Sequence, residues 1–136
     1  MFSLHPRLLA DCIELGDLPL CKLLLMNDCQ YPWFILVPRK SEITEIYELS
    51  QVDQQQLAKE SAILAETLMK HYEGDKMNIA ALGNVVSQLH IHHVVRFKID
   101  PSWPDPIWGK FKAVPYHLDK IDKIKKDVSA LLSLSS

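Results

Sequence analysis

The chain predicts an α+β domain: an antiparallel β-sheet with one long central helix and a second helix near the C-terminus. Three observations carry this. Two apolar runs of strand length, residues 20–26 and 33–37, are separated by polar and proline residues, the pattern of an antiparallel pair. A long helical period follows between Ser50 and Gly74. Two more apolar runs and a last helical period complete the order strands, helix, strands, helix, which suits an antiparallel sheet rather than alternating βαβ units.

In chain order, His5-Pro6 opens a short helical turn through Leu8, Leu9 and Ala10. Residues 12–15 read as a short strand ended by Gly16-Asp17, a turn dipeptide. Residues 20–26 end at Asn27-Asp28, and Pro38 stops the strand over 33–37. Ser50 followed by Asp53 is a capping-box-like helix start. Behind it Leu57, Ser61, Leu64, Ala65, Leu68, Met69 and Tyr72 share one face, and Gly74 lies just past the end. Residues 76–82 and 88–97 read as two strands joined through Gly83-Asn84, a tight-turn signal. Residues 100–109 hold three prolines and two tryptophans, an ordered loop rather than a linker. Ile121, Ile124, Val128, Leu131 and Leu132 trace the last amphipathic helix.

A length of 136 residues fits one domain, 1–136, able to bury a core without disulfides. A net charge of −2 argues against broad electrostatic binding of nucleic acid, and the lysines of 120–126 alternate with Asp119, Asp122 and Asp127 as on a solvated helix face. Cys12, Cys21 and Cys29 form no CxxC pair, and no signal-peptide pattern precedes them, so free thiols in a cytoplasmic protein are expected. No apolar run is long enough to span a membrane.

The chemistry concentrates in Gln88-Leu89-His90-Ile91-His92-His93-Val94-Val95-Arg96. On a strand, Gln88, His90 and His92 share one face, roughly 6–7 Å apart, and Leu89, Ile91 and His93 take the other. Such a row is costly to bury without partners. Taken alone, it fits a half-exposed polar face, a catalytic pair, or two ligands of a zinc site that lacks an obvious third.

This stretch resembles the motif of the histidine triad (HIT) superfamily of nucleotidyl hydrolases and transferases, His-φ-His-φ-His-φ-φ with φ apolar. The element order resembles it as well: Leu23-Leu24-Leu25-Met26-Asn27, then Leu36-Val37-Pro38-Arg39, a long helix, and Met77-Asn78-Ile79. The resemblance covers roughly residues 12–97. It departs at the first histidine, here Gln88, at Val95 in place of a proline, in the shortened Leu82-Gly83-Asn84 loop, and at Trp33, where the family usually has a histidine.

The resemblance implies a HIT-like fold and a hydrolase or transferase cleaving at the α-phosphorus of a nucleotide, such as a dinucleoside polyphosphate or a nucleoside phosphoramidate. His90 would attack phosphorus and form a nucleotidyl-histidine. His92 would hydrogen-bond a phosphoryl oxygen or the departing group. Gln88 would orient the nucleophile without relaying a proton, which favours leaving groups needing little protonation. Asn27 matches a ribose contact and Asn84 a residue approaching the phosphate. Arg96 shares the parity of His90 and is read as a phosphate contact or a salt bridge. His93, on the opposite face, is expected to be structural, Asn78 to pin a strand, and Trp103 and Trp108 to plug the core or wall a pocket. The residues in view require no metal or other cofactor and suggest no membrane partner, while the resemblance implies a small-molecule nucleotide substrate and a homodimer. A nucleotide-binding module with little turnover, and a metal-dependent hydrolase, are the rival readings.

Overall fold

The computed structural model describes residues 1–136. Helix α1 (Pro6–Asp11) leads into strands β1 (Cys12–Asp17), β2 (Cys21–Met26) and β3 (Trp33–Pro38). A 3-10 turn (Ile46–Glu48) and the long helix α2 (Gln51–Tyr72) follow, then β4 (Lys76–Ala80), β5 (Ile91–Arg96) and α3 (Leu118–Leu132). The five strands form one sheet in the order β1-β2-β3-β5-β4, with every neighbouring pair antiparallel. The expected α+β architecture is therefore the observed one. No helix is long and apolar enough to cross a membrane.

Alternation along the strands builds two cores. Leu23, Leu25, Phe34, Leu36, Ile91 and Val95 face Leu57, Leu64 and Leu68 of α2 and the apolar stripe of α3. Leu24, Ile35 and Val37 point the other way, against Leu4, Leu8 and Val86. Strand β5 is buried along its whole length because it has neighbours on both edges and cover on both faces. Helix α2 is also tied to the sheet by a polar contact. Buried Glu60 accepts the backbone N–H groups of Leu20 and Cys21 at 2.8 and 2.9 Å, fixing where β2 begins.

The capping pattern at Ser50 is realised, its Oγ accepting the N–H of Asp53 at 3.1 Å. At the other end the left-handed residue is Glu73, with φ 54°, and not Gly74. Gly74 answers a different demand, close approach to the sheet: a Cβ there would lie 2.3 Å from Cγ1 of fully buried Val95. Gly74→Ala is expected to cost about 1–3 kcal/mol through overpacking. Urea unfolding checks this, and an unchanged midpoint would show that α2 can lift off the sheet freely.

Two elements differ from the sequence expectation. Gly16 does not end β1; it carries the strand past a bulge, where the pairing steps from Glu14↔Leu24 to Gly16↔Leu23. The two strands over 76–82 and 88–97 are shorter and are not joined by a tight turn. Their ladder starts at Ala80↔His92, and residues 81–90 form an open loop. The N–H of Leu89 is drawn to the carbonyl of Ile43 instead, and buried Val86 and Leu89 anchor the loop. All three cysteines are unpaired, and burial pushes the Cys12 thiol up to about 12.

Candidate active site

His90 is the last loop residue before β5, and His92 is the second residue of that strand. Both are buried on the sheet face opposite α2, with ring centroids 4.9 Å apart and planes at 69°. Their hydrogen bonds fix complementary proton positions. His90 Nδ1 lies 2.7 Å from the backbone oxygen of Gln88. A carbonyl can only accept, so Nδ1 carries the proton and Nε2 of the neutral ring keeps its lone pair. His92 Nδ1 lies 3.0 Å from Nε1 of Trp33. An indole nitrogen can only donate, so His92 keeps its lone pair at Nδ1 and presents an N–H at Nε2.

Trp33 reaches His92 because it opens β3 opposite Val94, on the same face and one diagonal step away. Trp108, from the loop after β5, stands on His92 from another side at a centroid distance of 5.4 Å. Burial, and then the neighbouring His90 and His93, push the His92 pKa down to about 3. The ring is therefore a neutral donor across the physiological range.

His93 points to the other face. Its Nδ1 donates to the carbonyl of Ile91 at 3.0 Å, and its Nε2 accepts from the Ser61 hydroxyl of α2 at 2.7 Å. It is a strut between helix and sheet, as its strand parity suggested, and burial lowers its pKa to about 4. The unfolded chain protonates these two imidazoles near pH 6.5 while the folded protein does not. Below that pH the unfolded state binds more protons, so stability is full above about pH 6.5 and falls towards pH 4. Each ring contributes on the order of 3 kcal/mol to that fall. Urea midpoints at pH 7 and pH 4.5 measure it, and His93→Gln should flatten the slope; a flat wild-type profile would mean that the folded rings accept protons.

The histidine pair opens onto a groove of two adjoining recesses, of about 300 and 440 Å³. Their walls share Arg7, Asp11, Met26, Trp33 and Trp108. The smaller recess holds His90, His92 and the 82–86 loop with Asn84. The larger reaches Asn27 and Asp28 at the end of β2 and Phe111 in the long loop. Asn27 is there through its edge-of-strand position, but its amide oxygen is engaged, accepting the N–H of Tyr116 at 2.9 Å.

Two residues singled out in the sequence lie off the groove. The Gln88 side chain turns to the N-terminal segment, donating to the Ser3 carbonyl and accepting from the His5 N–H, both at 2.8 Å. Only its backbone oxygen meets His90. Arg96 lies on the His92 face but roughly 13 Å further along the strand. It is buried, paired with Asp100 at 2.8 and 3.0 Å, hydrogen-bonded to Asn78 at 2.8 Å and covered by Trp103. No group of three or more His, Cys, Asp or Glu side chains is placed to hold a metal ion. Sequence reasoning did not find Arg7 or Asp11, which a single turn of helix delivers with no motif to mark them.

The chain is similar to known proteins along nearly its whole length. The family model described as the HIT domain matches residues 9–99. A solved histidine triad protein from Marinobacter aquaeolei VT8 is 53% identical, with a TM-score of 0.96 over 98% of this chain and 97% of that one. A histidine triad protein from Sinorhizobium meliloti 1021 is 42% identical, covering 97% and 98% of the two chains at a TM-score of 0.94. One from Bradyrhizobium japonicum is 40% identical, covering 96% and 98%, also at 0.94. No curated protein matches the chain significantly.

Proposed function

This chain belongs to the HIT domain family, and from that membership we propose that it is a nucleotide-phosphate hydrolase or transferase working through His90. The observation that carries the reading is the opposed pair of tautomers: one ring offers a lone pair to the groove, its neighbour an N–H. Nε2 of His90 attacks the α-phosphorus of a nucleotide, and the bond to the leaving group breaks with its electron pair. The Nδ1–H stays on the charged ring of the nucleotidyl-histidine, held by the Gln88 carbonyl. His92 Nε2–H donates to a phosphoryl oxygen or to the departing atom and stabilises negative charge as it builds. Water or another acceptor then attacks phosphorus, the P–N bond breaks with its electron pair returning to Nε2 of His90, and the proton lost by the acceptor passes to solvent.

Gln88 acts in this scheme through its backbone oxygen. It supplies no proton, so leaving groups stable as anions are favoured. Asn84 approaches the phosphate and Asn27 the ribose, each from its own recess. Arg96 contributes by holding the end of β5 and the loop behind Trp108 rather than by touching substrate. The family reading also carries a cofactor-free cytoplasmic homodimer, which light scattering of the purified protein tests.

Trp33→Phe removes the donor that fixes His92. The expected result is a kcat about 5–10-fold lower, because the ring loses the contact that orients its Nε2–H. An unchanged kcat would mean that the indole plays no part.

The reaction itself is tested by mixing the protein with diadenosine tetraphosphate or an adenosine phosphoramidate and quenching within milliseconds in alkaline denaturant, which spares a phosphorus–nitrogen bond. Intact mass should show one added nucleotidyl group, mapped by fragmentation to His90. An adduct on another residue, or product without any adduct, overturns the covalent route. Tight binding with neither adduct nor product makes the protein a nucleotide-binding module. Activity abolished by chelators and restored by zinc makes it a metal-dependent hydrolase.

A further inference from the structure

Arg7 is the one lysine or arginine in the walls of either recess, and it lines both. The geometry points to Arg7 as an anion-binding residue that selects substrates with two or more linked phosphates, an inference that rests on the nucleotide reading above. His92 supplies a neutral donor and His90 a lone pair, so neither balances the charge of a polyphosphate chain. Arg96 cannot, since Asp100 and Asn78 hold its guanidinium in a buried position.

The resting partner of Arg7 is weakly held. Its Nε lies 3.0 Å from the carboxylate of Asp11, with the two side chains 61% and 45% exposed. Exposed pairs of this i,i+4 kind are easily exchanged, and a guanidinium binds a phosphate through two parallel hydrogen bonds. Asp11 lines the same two recesses. With Arg7 turned away, its carboxylate repels an anion; with Arg7 turned onto a phosphate, that repulsion is offset.

The backbone beneath Arg7 is fixed by the residue that departs from the triad pattern. The amide of Gln88 bonds the chain at Ser3 and at His5, one residue before α1 starts. Leu4 and Leu8 are packed against Leu24, Ile35 and Val37. The His5 ring then accepts the N–H of Arg7 at 3.0 Å, capping the helix. Gln88 is thus a positioning residue: its side chain clasps the segment that brings a cation to the groove.

The test uses the His90→Ala variant of the 136-residue chain, expected to bind without turnover, titrated with adenosine mono-, di- and triphosphate by quenching of tryptophan fluorescence. Affinity should rise by at least about fivefold from mono- to triphosphate. Adding Arg7→Gln should abolish most of that rise. Lys125→Gln, which removes the same charge on α3, should keep it. Gln88→Ala should weaken the rise and speed amide exchange over residues 3–11. A rise that survives Arg7→Gln overturns the assignment of Arg7 while leaving the nucleotide reading intact. Absence of binding by all three nucleotides overturns both. Unchanged exchange and an unchanged rise in Gln88→Ala overturn the clasp.

Discussion

His90→Ala is expected to lower kcat/KM by at least about 10³-fold while the urea midpoint stays near that of the wild type. The size of the loss follows from the hydrogen bonds around the pair. His92 is the nearest substitute nucleophile, but its Nδ1 lone pair points at the Trp33 indole and its Nε2 is capped by a proton. No second lone pair on nitrogen therefore faces the groove. Asn27 and Asn84 offer only amides, and the Arg7 guanidinium is no nucleophile. Single-turnover kinetics on a dinucleoside polyphosphate measures the effect. A loss under tenfold would place the attacking group elsewhere.

Asp100→Ala is expected to destabilise the fold by about 3–5 kcal/mol, because it leaves the Arg96 guanidinium buried without its counter-charge. Both side chains of the pair are nearly inaccessible, at 2% and 4% exposure. The carboxylate also organises the backbone beyond β5, accepting the N–H groups of Phe97, Ser102 and Trp103. Burial opposes its ionisation, but the hydrogen bonds from Arg96 and from these amides hold its pKa below the usual carboxylate range. Stability from this group is present above its unfolded pKa and is lost as pH falls through the lower folded one. Denaturant unfolding at neutral pH measures the loss. Combining Asp100→Ala with Arg96→Met should cost less than the sum of the single changes, since the double replacement removes both charges. Full additivity would mean that the pair is not coupled.

The fold was legible because its periodicities are long. Leu57, Leu64 and Leu68 mark the buried face of α2 over many turns, and Ser50 marks its start. Strands β2 and β3 stand out as apolar runs, near-continuous in β2, where Lys22 interrupts. The limits of β5 were not legible. Strand-like sequence runs from Gln88 through Arg96 without a turn signal, and what ends the ladder is the partner strand: β4 stops at Ala80, opposite His92. Beyond that point Gln88 is free to turn to Ser3, a contact between residues far apart in the chain. Arg96 illustrates the same limit. Parity put it on the histidine face, but only the folded loop with Asp100 decides whether its charge meets solvent, substrate or a carboxylate. His92 and His93 were separable from sequence alone, because adjacent residues on a strand must face opposite ways.

The position of β5 in the sheet has a consequence for the order of events during synthesis. Strands β1, β2 and β3 are neighbours in sequence and join by short connections as they emerge. Strand β4 emerges next, yet it has no partner until β5 exists, because β5 lies between it and β3. A chain stopped short of residue 91 leaves the edge of β3 and all of β4 unpaired, the kind of open edge that recruits other chains. The last strand to arrive closes that gap, and it brings His92 with it and sets His90 at its threshold. Nascent protein that has not closed its sheet therefore has not brought His90 and His92 together, and a truncated product exposes edges that recruit other chains.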